Sequence, residues 1–62
     1  MVSEEWREEC LLNIRILSTG IGRLKEGREL SPNSSIVRLC ESLIELSQEN
    51  IELWRAELER KN

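Results

Sequence analysis

The sequence predicts an all-α protein, an antiparallel two-helix hairpin that dimerises into a four-helix bundle. Three observations support this fold class. Apolar residues recur at intervals of three and four in both halves of the 62-residue chain, which is the period of a helix and not of a strand. A Ser-Pro-Asn-Ser stretch at 31–34 separates the halves and supplies turn and capping residues. The second half also carries more apolar surface than one facing helix can cover.

The first helix is expected at about 3–28. Ser3 is a candidate N-cap, and Glu4 and Glu5 are placed favourably in the first turn. Gly27 is a plausible C-terminal signal. The apolar stripe of this helix consists of Trp6, Cys10, Ile14, Leu17, Ile21 and Leu24.

A turn at about 29–33 leads into a second helix at about 33–61. Two residues are candidates for the N-cap of this helix. Ser31 would cap it with Pro32 at the first helical position, and Asn33 is the alternative.

Pairing the two apolar stripes antiparallel predicts one register. The expected layers join residues whose numbers sum to 60 or 61: Leu24 with Ile36, Ile21 with Cys40, Leu17 with Leu43, Ile14 with Ser47, Cys10 with Asn50, and Trp6 with Trp54. Antiparallel helices need such a constant sum to keep their apolar faces opposed. Cys10 and Cys40 then lie on the order of 15 Å apart at 1.5 Å per residue, so we expect two buried free thiols.

Helix 2 is too apolar for a lone hairpin. Beside its core stripe run two heptad rows, Val37, Ile44, Ile51, Leu58 and Leu39, Leu46, Leu53. Together the apolar positions cover roughly 160° of the helix surface, and a second hairpin would bury the excess. The predicted oligomer core is Leu17, Ile21, Leu39, Leu43, Ile44, Leu46, Ile51 and Trp54. Asn50 either fixes the register and oligomeric state or contacts water near the open end.

The composition argues against an enzyme, a metal or a cofactor. The chain has no histidine and only two cysteines, too few ligands for a zinc site. The carboxylates follow surface patterns, and the cysteines lack a basic partner. The acidic start and the absence of a run of roughly 18 to 20 apolar residues predict a cytoplasmic protein that does not enter a membrane.

The charge of this small acidic protein is unevenly distributed. Residues 1–9 and 41–62 each carry a net charge of −3, whereas residues 10–40 carry +3. A hairpin would bring both acidic ends together and leave the basic residues toward the turn, so we expect an electrically bipolar molecule.

Helix 1 has a second apolar surface away from its core stripe. Leu12 and Ile16 lie one turn apart there, and Thr19, Gly20 and Arg23 follow. We expect these five residues to bind a protein partner.

Two glycines inside helix 1 also call for an explanation. Gly20 and Gly22 each cost about 1 kcal/mol relative to alanine. Three explanations remain open: another helix packs closely against these positions, helix 1 is kinked there, or the protein simply tolerates the two glycines.

The basic residues Arg15, Arg23 and Lys25 are the candidates for nucleic-acid contact. The outward face of helix 2 would repel nucleic acid. That face carries Glu41, Glu45, Glu49, Glu52 and Glu59.

Cys40-Glu41-Ser42-Leu43 resembles the repressor-of-primer (Rop) proteins, RNA-binding helical hairpins of similar length that dimerise into four-helix bundles. In an ungapped alignment Arg15 matches a basic RNA-contacting position of that family. Leu12, Ile16 and Gly20 stand where the family has asparagine, an aromatic residue and glutamine. The resemblance therefore implies a working face at this position for a ligand other than RNA.

The segment from Ile36 to Ile44 is also similar to the second helix of the small sporulation aspartyl-phosphate phosphatases. Ile44 occupies the position of their essential aspartate, which argues against phosphatase activity.

These features rank three functional hypotheses. The first is a non-enzymatic regulatory or adaptor protein, a homodimer that also binds an unidentified protein. The alternative is an RNA-binding four-helix bundle of Rop type. The remote alternative is a phosphatase-like regulator of a signalling protein.

Overall fold

The computed structural model describes residues 3–61 and consists of two antiparallel helices. Helix α1 spans Glu4–Leu30 and helix α2 spans Ser34–Lys61. They pack along their length into a hairpin of 49 × 15 × 10 Å, measured between Cα atoms. The predicted all-α hairpin is confirmed, and its association into a four-helix bundle stays a prediction.

The start of α1 is fixed by the predicted cap. The Oγ of Ser3 accepts a hydrogen bond of 3.1 Å from the backbone N–H of Trp6. This bond satisfies one of the N–H groups that lack a partner within the first helical turn.

The end of α1 lies three residues beyond the predicted signal. No glycine of the described chain has a positive φ, and the helix continues through Gly27 to Leu30. Pro32 disfavours a helical conformation in the residue before it, and Ser31 is extended at φ −84° and ψ 129°. The proline therefore ends the helix, and the expectation that Gly27 ends it was wrong.

Helix α2 is capped by Asn33, the second of the two predicted alternatives. Its side-chain Oδ1 accepts hydrogen bonds from the N–H groups of Ser35 (2.8 Å) and Ile36 (3.3 Å). Ser31 instead supports the turn, where its Oγ accepts a 3.2 Å hydrogen bond from the N–H of Asn33.

The buried core of the hairpin is narrow. Among the described side chains, Cys10, Cys40, Ile44 and Ile51 are 0–8% exposed. The α2 residues that are buried or half-buried along this core are Val37, Cys40, Ile44, Ser47, Ile51, Trp54 and Leu58. Their spacing alternates between three and four residues, the pattern of a helix that packs along one partner.

The predicted layers are wrong. A Cβ added to Gly27 would lie 3.9 Å from the Sγ of Cys40, so these two residues, whose numbers sum to 67, face each other. The three-residue turn is centred on Pro32, so residues equally far from it have numbers that sum to 64, and Gly27 and Cys40 exceed this sum by three. Sums of 60 or 61 lie on the other side of this value and displaced the layers by roughly one to two helical turns.

The correction also rotates α2 by about half a residue, or ~50°, since Cys40, Ser47 and Trp54 remain in the core row. Ile36, Leu43 and Asn50, which were expected to face α1, are exposed, whereas Ile44 and Ile51 are buried. The cysteines agree with the prediction, because Cys10 and Cys40 are both free and buried.

Candidate interaction surface

More large apolar side chains are exposed on this hairpin than are buried within it. Nine of those described are 40–83% exposed. They are Leu11, Leu12, Ile16, Leu30, Ile36, Leu39, Leu43, Leu46 and Leu53. Isolated apolar side chains are ordinary on a protein surface, but contiguous apolar patches mark interaction sites.

Five of these residues, with Asn50, form a regular row along α2. We call this set, Ile36, Leu39, Leu43, Leu46, Asn50 and Leu53, the α2 row. Its spacing again alternates between three and four residues, as in the seam of a coiled coil. Each member directly precedes a residue of the core row, so α2 carries two adjacent seams and α1 covers only one.

The predicted oligomer core divides between these two seams. Leu39, Leu43 and Leu46 belong to the exposed α2 row. The other members, Leu17, Ile21, Ile44, Ile51 and Trp54, are buried or half-buried in the hairpin itself. The full row was not predicted from the sequence, because Ile36, Leu43 and Asn50 were expected to face α1.

The predicted partner-binding residues of α1 come together in one shallow groove of about 370 Å³. The groove is lined by Leu12, Arg15, Ile16, Thr19, Gly20 and Arg23. Its floor is therefore apolar, and it carries two guanidinium groups. Lys25, also predicted to contact nucleic acid, is exposed but does not line the groove.

Gly20 and Gly22 do not pack closely against the rest of the described chain. A Cβ added at either position would meet no atom within 4 Å, apart from the neighbouring helix backbone. Close packing inside the hairpin therefore does not explain either glycine.

The α2 row and the exposed Ile16 of α1 lie on the same broad side of the hairpin. At ~100° per residue in right-handed antiparallel helices, Ile16 and Gly20 project to the side on which Leu43 projects from α2. Glu41 and Glu52 project to the opposite side. The hairpin thus has one apolar side and one polar side.

The acidic face of α2 is exposed as predicted, at Glu41, Glu45, Glu49, Glu52 and Glu59. On α2, Glu57 and Arg60 form an ion pair of 2.7 Å. An exposed pair of this kind adds little to stability.

Within 3–61, neither helix is long and apolar enough to span a membrane. The same residues contain no cluster of three or more histidine, cysteine or carboxylate side chains that could hold a metal ion.

Comparisons with protein-family models, curated proteins and solved structures gave no match.

Proposed function

We propose that this protein is a non-enzymatic interaction module, a small regulatory or adaptor protein that acts as a helical-hairpin homodimer. The observation that carries this proposal is the apolar side of the hairpin, on which the α2 row and Ile16 are exposed. A hairpin with so few buried side chains has little core of its own, and burial of this side would add the missing stabilisation.

The dimensions of the apolar side support self-association. The broad side of the hairpin measures 49 × 15 Å between Cα atoms. Specific interfaces bury about 800 Å² on each partner, which one such side can provide out of a total surface of 5145 Å².

The groove of α1 gives the dimer a second binding surface. Leu12 and Ile16 offer apolar contact, while Arg15 and Arg23 offer charged donors at its edges. This combination fits a protein segment that presents an apolar side chain together with a carboxylate.

Sedimentation equilibrium tests the homodimer. We expect a dimer at micromolar concentration and a melting temperature that rises with protein concentration, because association stabilises only the folded form. Leu46→Glu should shift the equilibrium toward monomer, since it places a charge in the apolar contact. Gln48→Glu on the polar side is the matched control and should leave the dimer intact. A wild-type chain that stays monomeric would overturn the proposal.

RNA binding is the second candidate, because Arg15 and Arg23 lie together on the groove. Each phosphate contact that is removed should reduce the salt dependence of RNA binding by about one unit of slope. We expect binding no tighter than micromolar at physiological salt. Tight RNA binding that Arg15→Ala and Arg23→Ala each weaken in this way would place RNA ahead of a protein partner.

A further inference from the structure

We propose that the second copy docks antiparallel on the apolar side, with the turn of each hairpin beside the open end of the other. The two-fold axis would run across the hairpin, level with Gly20 of α1 and with the gap between Leu43 and Leu46 of α2. Helix α1 then packs against the partner's α1, and α2 against the partner's α2. This inference rests on the proposed homodimer and specifies its geometry.

The first argument is the position of the α2 row along the long axis of the hairpin. The α2 row runs from Ile36 to Leu53, so its centre lies beside Ile44. Gly27 faces Cys40 and the turn is centred on Pro32, so facing residues have numbers that sum to between 64 and 67. The centre of the α2 row is therefore level with residues 20–23 of α1, which include Gly20. A two-fold axis through this centre would cross α1 at that level.

The second argument is the match between apolar side chains across that axis. In the antiparallel pairing of the two α2 rows, Leu43 meets the partner's Leu46, and Ile36 meets the partner's Leu53. Asn50 falls opposite the partner's Leu39, away from the centre of the contact.

The third argument is charge complementarity. Residues 1–9 and 41–62 each carry −3, and residues 10–40, which include the second half of α1 and the turn, carry +3. Two hairpins with their turns at the same end would place four acidic segments together. The antiparallel arrangement instead sets the acidic open end of each copy beside the basic region of the other.

The axis also gives a role to Gly20. This residue has open space around it within the hairpin, and in the dimer it would lie where the two α1 helices cross. A residue without a side chain lets two helix backbones approach closely. Ile16 lies at the edge of this contact, whereas Leu12, at ~100° per residue, projects away from α2 and outside it, so this part of the α1 groove stays open to a protein partner.

Distances between spin labels test the arrangement. A label at Ser34→Cys marks the turn end, and one at Glu59→Cys marks the open end; both positions are exposed. The wild-type protein, whose cysteines are buried, is the control for background labelling. Circular dichroism verifies that each labelled variant keeps its helices.

In the antiparallel dimer, two labels at position 34 should lie roughly 30 Å apart or more, from 1.5 Å of rise per residue. A mixture of the 34-labelled and 59-labelled chains should give a clearly shorter distance, because position 34 lies only about 6 Å in height from the partner's position 59 at 1.5 Å per residue. In a protein that is dimeric, a short distance between the two labels at position 34 and a long distance between positions 34 and 59 would overturn the antiparallel arrangement. The homodimer itself would still stand. A protein that sediments as a monomer and shows no interchain distance would overturn both proposals.

Discussion

Gly27 and Cys40 face each other across the hairpin, with 3.9 Å between the Sγ of Cys40 and the position that a Cβ would take on Gly27. This is an ordinary van der Waals distance. The pair therefore shows which residues of the two helices lie level with each other, and it leaves room for one methyl group on α1.

Gly27→Ala should stabilise the hairpin by about 0.5–1 kcal/mol, because alanine loses less backbone entropy in a helix and fits the space beside Cys40. Urea unfolding at a fixed protein concentration measures the change. Gly22→Ala, where the added Cβ meets no neighbour, is the matched control and should give a similar gain. A loss of stability at Gly27 alone would show that the helices pack more tightly there than this contact indicates.

Ile44→Ala should destabilise the protein by roughly 2–5 kcal/mol, since it removes a side chain from the buried core and leaves a cavity. Leu11→Ala, at a position that is 52% exposed in the hairpin and outside the proposed dimer contact, should cost about 1 kcal/mol or less. Denaturant unfolding of both variants at one concentration gives the comparison. A larger loss at Leu11 than at Ile44 would contradict the assignment of the core row.

The sequence was sufficient to predict the fold class, the Ser3 cap and the buried free cysteines. These features depend on local signals, namely helical period, capping chemistry and the spacing of two residues. The choice between Ser31 and Asn33 as the second cap was left open, because both have side chains that can accept hydrogen bonds from the first turn of a helix.

The register was not predicted, because α2 has two heptad seams side by side. Periodicity alone does not distinguish the Ile44 seam from the Leu43 seam, since both alternate between three and four residues. The length of the turn, and not the periodicity, decides between them. The residues of the α1 groove were predicted because Leu12 and Ile16 lie off the core stripe in either register.

The stability of the protein should decrease at alkaline pH through Cys10. Burial, and then the carboxylates of Glu57 and Glu9, raise the pKa of the Cys10 thiol above its usual range. A pKa that is raised by folding gives stability that is complete below the pKa of the unfolded thiol. This stability is lost as the pH rises through the folded value.

The free energy of unfolding from urea titrations between neutral and alkaline pH measures this effect. Wild type should lose stability more steeply than Cys10→Ala over that range. Parallel curves for the two proteins would show that folding does not shift the titration of this thiol.

The last prediction concerns the crossing of the two α1 helices in the dimer. Gly20→Leu should weaken dimerisation at least about tenfold, or ~1.4 kcal/mol, because two symmetry-related leucines would separate helices that a glycine allows to approach. The hairpin itself should tolerate the change, since a Cβ at Gly20 meets nothing within 4 Å and leucine favours a helix more than glycine does.

Gly22→Leu is the matched control for this experiment. It has the same open surroundings and the same gain in helix propensity, but at ~100° per residue it projects away from the apolar side. Sedimentation equilibrium should therefore show weaker association for Gly20→Leu and unchanged association for Gly22→Leu. A Gly20→Leu dimer as tight as wild type would mean that the α1 helices do not meet at this residue. Equal weakening by both variants would point to an effect on α1 itself.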